Sequence, residues 1–232
     1  MSIVNFCIVG MPKAGTTSLH QYLAQHPEIF MSSDKEPHFF STDLLQEGAE
    51  LHGYPKYTRY PSLEKYHQLF SERGDAKIVG ESSVFYLFSQ NAAEEIHRYN
   101  PDAKIIIMLR EPVAFLYSLH SQGLFSGNET EANFERALEM QGVRKNGEEL
   151  PPTVHFPSRL YYDEHIEISS QILRYIELFP REQIKIILFD DFKEGTEEVY
   201  KDVLEFLDVF DNFTPNLVDH NPNTKMKYQF LA

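Results

Sequence analysis

Short apolar runs rich in Ile and Val alternate along this chain with longer stretches whose apolar positions recur every three or four residues. The first pattern fits strands buried on both faces and the second fits amphipathic helices, so the alternation predicts parallel strands crossed over by helices. Strands are expected over Ile3 to Val9, Lys104 to Leu109 and Ile184 to Phe189, with a weaker one at Ala76 to Val79. Leu19, Tyr22 and Leu23 share one face of a helix starting near Thr16, and Ile172, Leu173, Ile176 and Leu178 mark another that Pro180 closes. Val199, Val203, Phe206, Leu207 and Phe210 stripe a last helix.

Two stretches break this rhythm. Residues 41–75 hold Tyr54, Tyr57, Tyr60 and Tyr66 among Pro and Gly, and residues 121–157 hold Gly123, Gly127, Gly142, Gly147, Pro151, Pro152 and Pro157. Loops of that length in a compact domain serve as binding loops or lids, so both are expected as walls on the acceptor side of a site. The expected fold is a single α/β domain over residues 1–232, with a central, mostly parallel sheet flanked by helices and the ligand at the strand C-termini.

With 21 Lys and Arg against 35 Asp and Glu, the net charge of −14 argues against nucleic acid or anionic lipid as a partner. The single cysteine, Cys7, can form no internal disulfide and leaves no Cys framework for zinc. No apolar run approaches the roughly 20 residues of a membrane span, and the start lacks the pattern of a signal peptide. A cytoplasmic protein is the expectation.

The first strand runs into Gly10-Met11-Pro12-Lys13-Ala14-Gly15-Thr16-Thr17-Ser18, and a helix follows at once. Strand, glycine-bounded turn and helix N-terminus together aim backbone N–H groups at an anion, which makes Lys13 to Ser18 a candidate phosphate cradle. The glycine spacing equals that of a Walker A loop, yet Thr16 stands where an NTPase needs lysine, and the lysine lies inside the turn. At the end of the strand at Lys104 to Leu109, where a Walker B aspartate would hold Mg²⁺, there is Arg110. A guanidinium there suits a phosphate, and the helix after Pro112 would carry Ser118 near it.

Pro-Lys-x-Gly-Thr-Thr resembles the 5′-phosphosulfate loop of sulfotransferases that use 3′-phosphoadenosine 5′-phosphosulfate. Arg110, with a proline two residues on and Ser118 eight residues on, resembles the 3′-phosphate site of that family. Lys35-Glu36-Pro37-His38-Phe39-Phe40 looks like the Lys-Glu-x-x-Phe-Phe segment of its glycosaminoglycan-type and related bacterial branch, in which the glutamate is general base. The resemblance implies a P-loop sulfotransferase fold, with Lys13, Ala14, Gly15, Thr16, Thr17, Ser18, Arg110 and Ser118 holding the nucleotide. It also implies Glu36, Lys13 and His38 as catalytic residues, no metal, and a hydroxylated small molecule or saccharide as acceptor.

Glu36 within hydrogen-bond reach of an alcohol can take its proton, and His38 can orient the base or bond the acceptor. Glu81 competes for the same role at the end of the weaker strand. The family segment Glu-Lys-x-Pro reads Glu81-Ser82-Ser83-Val84 here; the missing lysine argues for a small or weakly charged acceptor. Tyr161 and Tyr162 echo a later helix of the family without a transferable role, and Lys225 and Lys227 resemble the start of a basic loop that closes over the nucleotide. An ATP-dependent P-loop kinase and a non-catalytic nucleotide-binding module stand as the alternatives.

Overall fold

The computed structural model describes residues 3–210 and 213–218. Lys225 and Lys227 lie outside the described residues. The elements run β1 (Phe6–Gly10), α1 (Thr16–Leu23), β2 (Ile29–Met31), α2 (Thr42–His52), α3 (Leu63–Gln68), β3 (Ile78–Ser82), α4 (Ala92–Tyr99), β4 (Lys104–Leu109) and α5 (Pro112–Ser126). There follow α6 (Phe134–Glu139), α7 (Gln141–Lys145), a 3₁₀ turn at Pro157–Leu160, α8 (Tyr162–His165), α9 (Ile168–Ile176), β5 (Ile184–Leu188), α10 (Phe189–Glu194) and α11 (Thr196–Phe206).

Five strands form one sheet in the order β2-β3-β1-β4-β5, and every pairing among the described residues is parallel. The chain lays β2 and β3 to one side of β1 and then crosses to place β4 and β5 on the other. This reversal opens a crevice at the carboxyl end of β1, where open α/β sheets bind ligands. Every residue of β1 is buried, as are Ile105 to Met108 of β4, which explains why these two strands read as continuous apolar runs. Helix α1 packs on β1, β2 and β3, and α11 packs on β5.

Several boundaries differ from the sequence reading. Strand β1 starts at Phe6, because the Asn5 side chain is occupied in accepting a hydrogen bond from Val79 N–H at 2.8 Å. Strand β3 begins two residues late and continues through Glu81 to Ser82. Phe189 opens α10 rather than ending β5, and the last helix stops at Phe206, leaving Phe210 exposed beyond it. The stretches 41–75 and 121–157 are not loops throughout: the first holds α2 and α3, and the second holds the end of α5 with α6 and α7. Their glycines mislead because they do different jobs. Gly53 and Gly127, with φ of 74° each, terminate α2 and α5, whereas Gly123 lies inside α5, where a Cβ would press on the Glu129 side chain.

The second stretch is anchored by a fully buried ion pair. Arg144 donates two hydrogen bonds of 2.7 Å to Glu129, which also accepts from Tyr162 Oη at 2.9 Å and from the backbone of Thr130 and Glu131. Tyr162 is thus a structural residue, and Tyr161 donates to the Arg144 carbonyl at 3.3 Å. Arg144→Met would leave the Glu129 carboxylate buried without its cation, so a loss of about 3–5 kcal/mol in urea unfolding is expected. Arg136→Met, which breaks the exposed pair with Glu131, should barely move the same curve.

Candidate functional site

Segments that follow all five strands line one cavity of about 1290 Å³. That exceeds the roughly 300–1,000 Å³ of a pocket for one small ligand, leaving room for two molecules side by side.

The turn after β1 forms one end. Gly10, with φ of 141°, lies so close to the carbonyl of Val84 that no Cβ would fit, and Gly15, with φ of 85°, sets the chain into α1. The residue that caps α1 is Gly15, which has no side chain to do so, and the first turn carries no acid, so the leading amides have no partner within the helix, while Thr16, Thr17 and Ser18 line the cavity. The side chain of Ala14 does not reach the cavity; it is packed in the core. Lys13 sits at a φ of 62° and donates to Gln122 Oε1 at 3.1 Å. Burial first, then the neighbouring Arg110, pulls its pKa down.

Arg110 stacks on the Phe189 ring with 4.7 Å between guanidinium carbon and ring centre, and donates to the Lys13 carbonyl at 3.0 Å. It therefore braces the turn while standing beside it. Glu111 caps α5 through Val113 and Ala114, and Pro112 occupies the first turn, which sets the helix that carries Ser118. Ser118 lines the cavity, and its buried hydroxyl has no hydrogen-bond partner among the described residues. An orphaned hydroxyl beside an arginine and an uncapped helix end is what a bound phosphate group would complete, so the residues present fit a nucleotide.

The Lys35 to Phe40 segment forms the opposite rim. Glu36 and His38 both hold left-handed backbone, at φ of 59° and 55°, and the contacts that fix them are visible. Glu36 N–H donates to the Ser82 carbonyl at 2.9 Å, His38 N–H to Ser83 Oγ at 3.1 Å, and Arg59 donates to the Glu36 carbonyl. The Glu36 carboxylate, with 36% of its side chain exposed, pairs with Lys35 Nζ at 2.7 Å and lies 3.5 Å from His38 Nε2. Burial pushes this carboxyl up, but the His38 hydrogen bond and the Lys35 ammonium outweigh it and hold it well below the usual carboxylate range. Of the two aromatic residues that close the segment, Phe40 is buried in the core and Phe39 packs against it.

Glu81 is absent from the cavity wall. It is completely buried and accepts hydrogen bonds from Ser83 Oγ at 2.8 Å, Tyr86 Oη at 2.8 Å and Tyr66 Oη at 3.1 Å. Among the described residues no cation lies in ion-pair range of it, and burial pushes its pKa up to about 7. Ser82, in the place of the missing lysine, bonds His20 Nδ1 at 2.9 Å.

Gln122, His155 and Arg159 are among the cavity residues that escaped the sequence reading. Gln122 follows Ser118 by one helical turn, a spacing that marks the same face. His155 comes from the end of the second long stretch and Arg159 from the 3₁₀ turn that follows it. The signal for Arg159 is a charge set between Phe156 and Leu160, both of them buried.

The sequence model of the Sulfotransferase family matches residues 6–212. Carbohydrate sulfotransferase 15 of Mus musculus is 26% identical over 255 residues, covering 88% of this chain and 44% of its own. The chain spans about half the length of the curated relatives it matches. A crystal structure of a sulfotransferase from Alicyclobacillus acidocaldarius superimposes with a TM-score of 0.82 at 35% identity, covering 96% of this chain and 88% of that one. Mouse sulfotransferase SULT7A1, complexed with PAP, shares the fold at a TM-score of 0.54 and 13% identity, over 89% of this chain and 59% of that one.

The buried Glu81 makes stability depend on pH with a definite sign. In the fold it holds its proton to about 7, whereas the unfolded carboxyl releases it near 4.5. Its contribution is therefore full below the lower value and is lost as pH rises through the upper one. His20 and His155, both pulled down to about 4 chiefly by burial, act in the opposite direction as pH falls. Glu81→Gln cancels only the first effect. Between pH 4 and pH 8 the unfolding free energy of the variant should gain on that of the wild type by an amount on the order of 3 kcal/mol. A constant difference in urea unfolding across that range would rule out a shifted Glu81.

Proposed function

Because the chain belongs to the sulfotransferase family, we propose that it transfers a sulfuryl group from 3′-phosphoadenosine 5′-phosphosulfate to a hydroxyl of a small-molecule or saccharide acceptor. The observation that carries this reading is the buried Ser118 hydroxyl, without a partner among the described residues, on a residue that lines the same cavity as Arg110, Lys13 and the start of α1. The donor supplies an activated sulfur centre and departs as 3′-phosphoadenosine 5′-phosphate.

The residues divide the work. Lys13, the leading amides of α1 and the Thr16, Thr17 and Ser18 hydroxyls would hold the 5′ side, where leaving-group charge grows, while Arg110 and Ser118 would hold the 3′-phosphate. Glu36 is ionised at neutral pH, as a base must be, and takes the proton of the acceptor hydroxyl. Negative charge brought to Lys13 opposes that ionisation and raises the proton affinity of Glu36 at the moment it is needed. His38 holds the carboxylate in place. The carbohydrate sulfotransferase among the relatives supports a sugar hydroxyl as acceptor, and no step calls for a metal.

Calorimetry should find 3′-phosphoadenosine 5′-phosphate bound more tightly than adenosine 5′-phosphate or ATP, by roughly 1.5–3 kcal/mol for each charge-assisted contact to the 3′-phosphate. Arg110→Ala should erase most of that margin; equal affinities in the wild type would remove Arg110 and Ser118 from the site. With a competent acceptor, Glu36→Gln should lower turnover about 10²- to 10⁴-fold at nearly unchanged nucleotide affinity. Normal turnover by Glu36→Gln would remove Glu36 from the role of base.

A further inference from the structure

Arg159 lines the cavity from the 3₁₀ turn at Pro157–Leu160 and is 9% exposed. Its guanidinium lies over the Phe85 ring, 4.7 Å from guanidinium carbon to ring centre. Among the described residues its N–H groups have no protein acceptor, and no carboxylate comes within ion-pair range. A buried cation without a partner is costly, and folds keep one where a ligand supplies the missing charge.

Its position says which ligand. The charges that bear on Lys13 are those of Arg110, Glu36 and Lys35, whereas the one carboxylate whose charge reaches Arg159 is Glu36. The Phe85 ring under Arg159 lies 6.0 Å from the ring of His38, so the arginine adjoins the rim that carries Glu36. That carboxylate cannot neutralise it, being already paired with Lys35 and His38. His155, another residue of the cavity wall, is uncharged at neutral pH and adds a polar contact without a competing charge.

We propose that Arg159 is the anion receptor of the acceptor subsite, so that the acceptor carries a carboxylate or a sulfate ester beside the hydroxyl that Glu36 deprotonates. The inference rests on the sulfuryl-transfer reading. It replaces the weakly charged acceptor expected from Ser82: the cation absent from that strand end is supplied by a different segment of the chain. A stacked, planar guanidinium presents its edge for a two-pronged contact, which Lys in its place would not reproduce.

The test uses the chain loaded with 3′-phosphoadenosine 5′-phosphate, with loading measured first by calorimetry. Matched pairs are then titrated: glucuronate against glucose, a glucose sulfate ester against glucose, and 4-hydroxybenzoate against 4-hydroxybenzamide. At least one anion should bind roughly ten- to a hundredfold more tightly than its neutral twin. Whether the uronate or the sulfate ester shows the larger margin identifies the oxyanion. Arg159→Gln should erase the margin with nucleotide affinity intact, and Arg159→Lys should restore only part of it. A margin that survives Arg159→Gln, or no margin in any pair, overturns the assignment while leaving sulfuryl transfer standing. Failure of the nucleotide to bind at all removes the premise, and the assignment with it.

Discussion

A carboxylate with no cation beside it, Glu81, holds the site together. Its oxygens draw in the hydroxyls of Ser83, Tyr86 and Tyr66, and two of these also grip the segment that carries Glu36: Ser83 accepts from His38 N–H and Tyr86 from Phe40 N–H. Burial outweighs the three hydrogen bonds and pushes the carboxyl up to about 7, and the hydroxyls are fixed because a buried carboxyl group cannot do without partners. Strand β3 thereby dictates where a neighbouring loop, not hydrogen-bonded as sheet, places its side chains.

The same loop and the turn after β1 carry the backbone strain. Lys13, Glu36 and His38 all hold positive φ, which costs a residue with a side chain on the order of 1–3 kcal/mol and persists only where surroundings over-determine it. Around Lys13 the determinants are Gln122 and Arg110; around Glu36 and His38 they are the end of β3 and Arg59. Strain at both rims, with the cavity between them, fits side chains set in position before any ligand arrives.

What could be read from the sequence follows from the range of the interactions. Strand β4 and the start of α1 were legible because burial on both faces and a glycine-bounded turn are local facts. Arg110 was legible because a strand end is. The role of Glu81 was not, since it depends on hydroxyls from α3 and from the turn after β3 that no spacing brings together. Arg159 was missed for a related reason: a charge between apolar neighbours reads as surface until the wall it belongs to has folded. The helices within 41–75 and 121–157 were hidden by glycines and prolines that mark their ends.

Helix α5 has a further consequence. Its N-terminus is pinned by Glu111 beside Arg110, Ser118 and Gln122 face the cavity along its length, and past its end Asn128 accepts a hydrogen bond from the backbone of His155. One rigid rod thus gauges the separation between the phosphate side and the far wall. Adding or deleting a single residue within it would turn everything downstream by about 100° and shift it by about 1.5 Å. Over evolutionary time this stretch should therefore accept substitutions yet refuse changes of length.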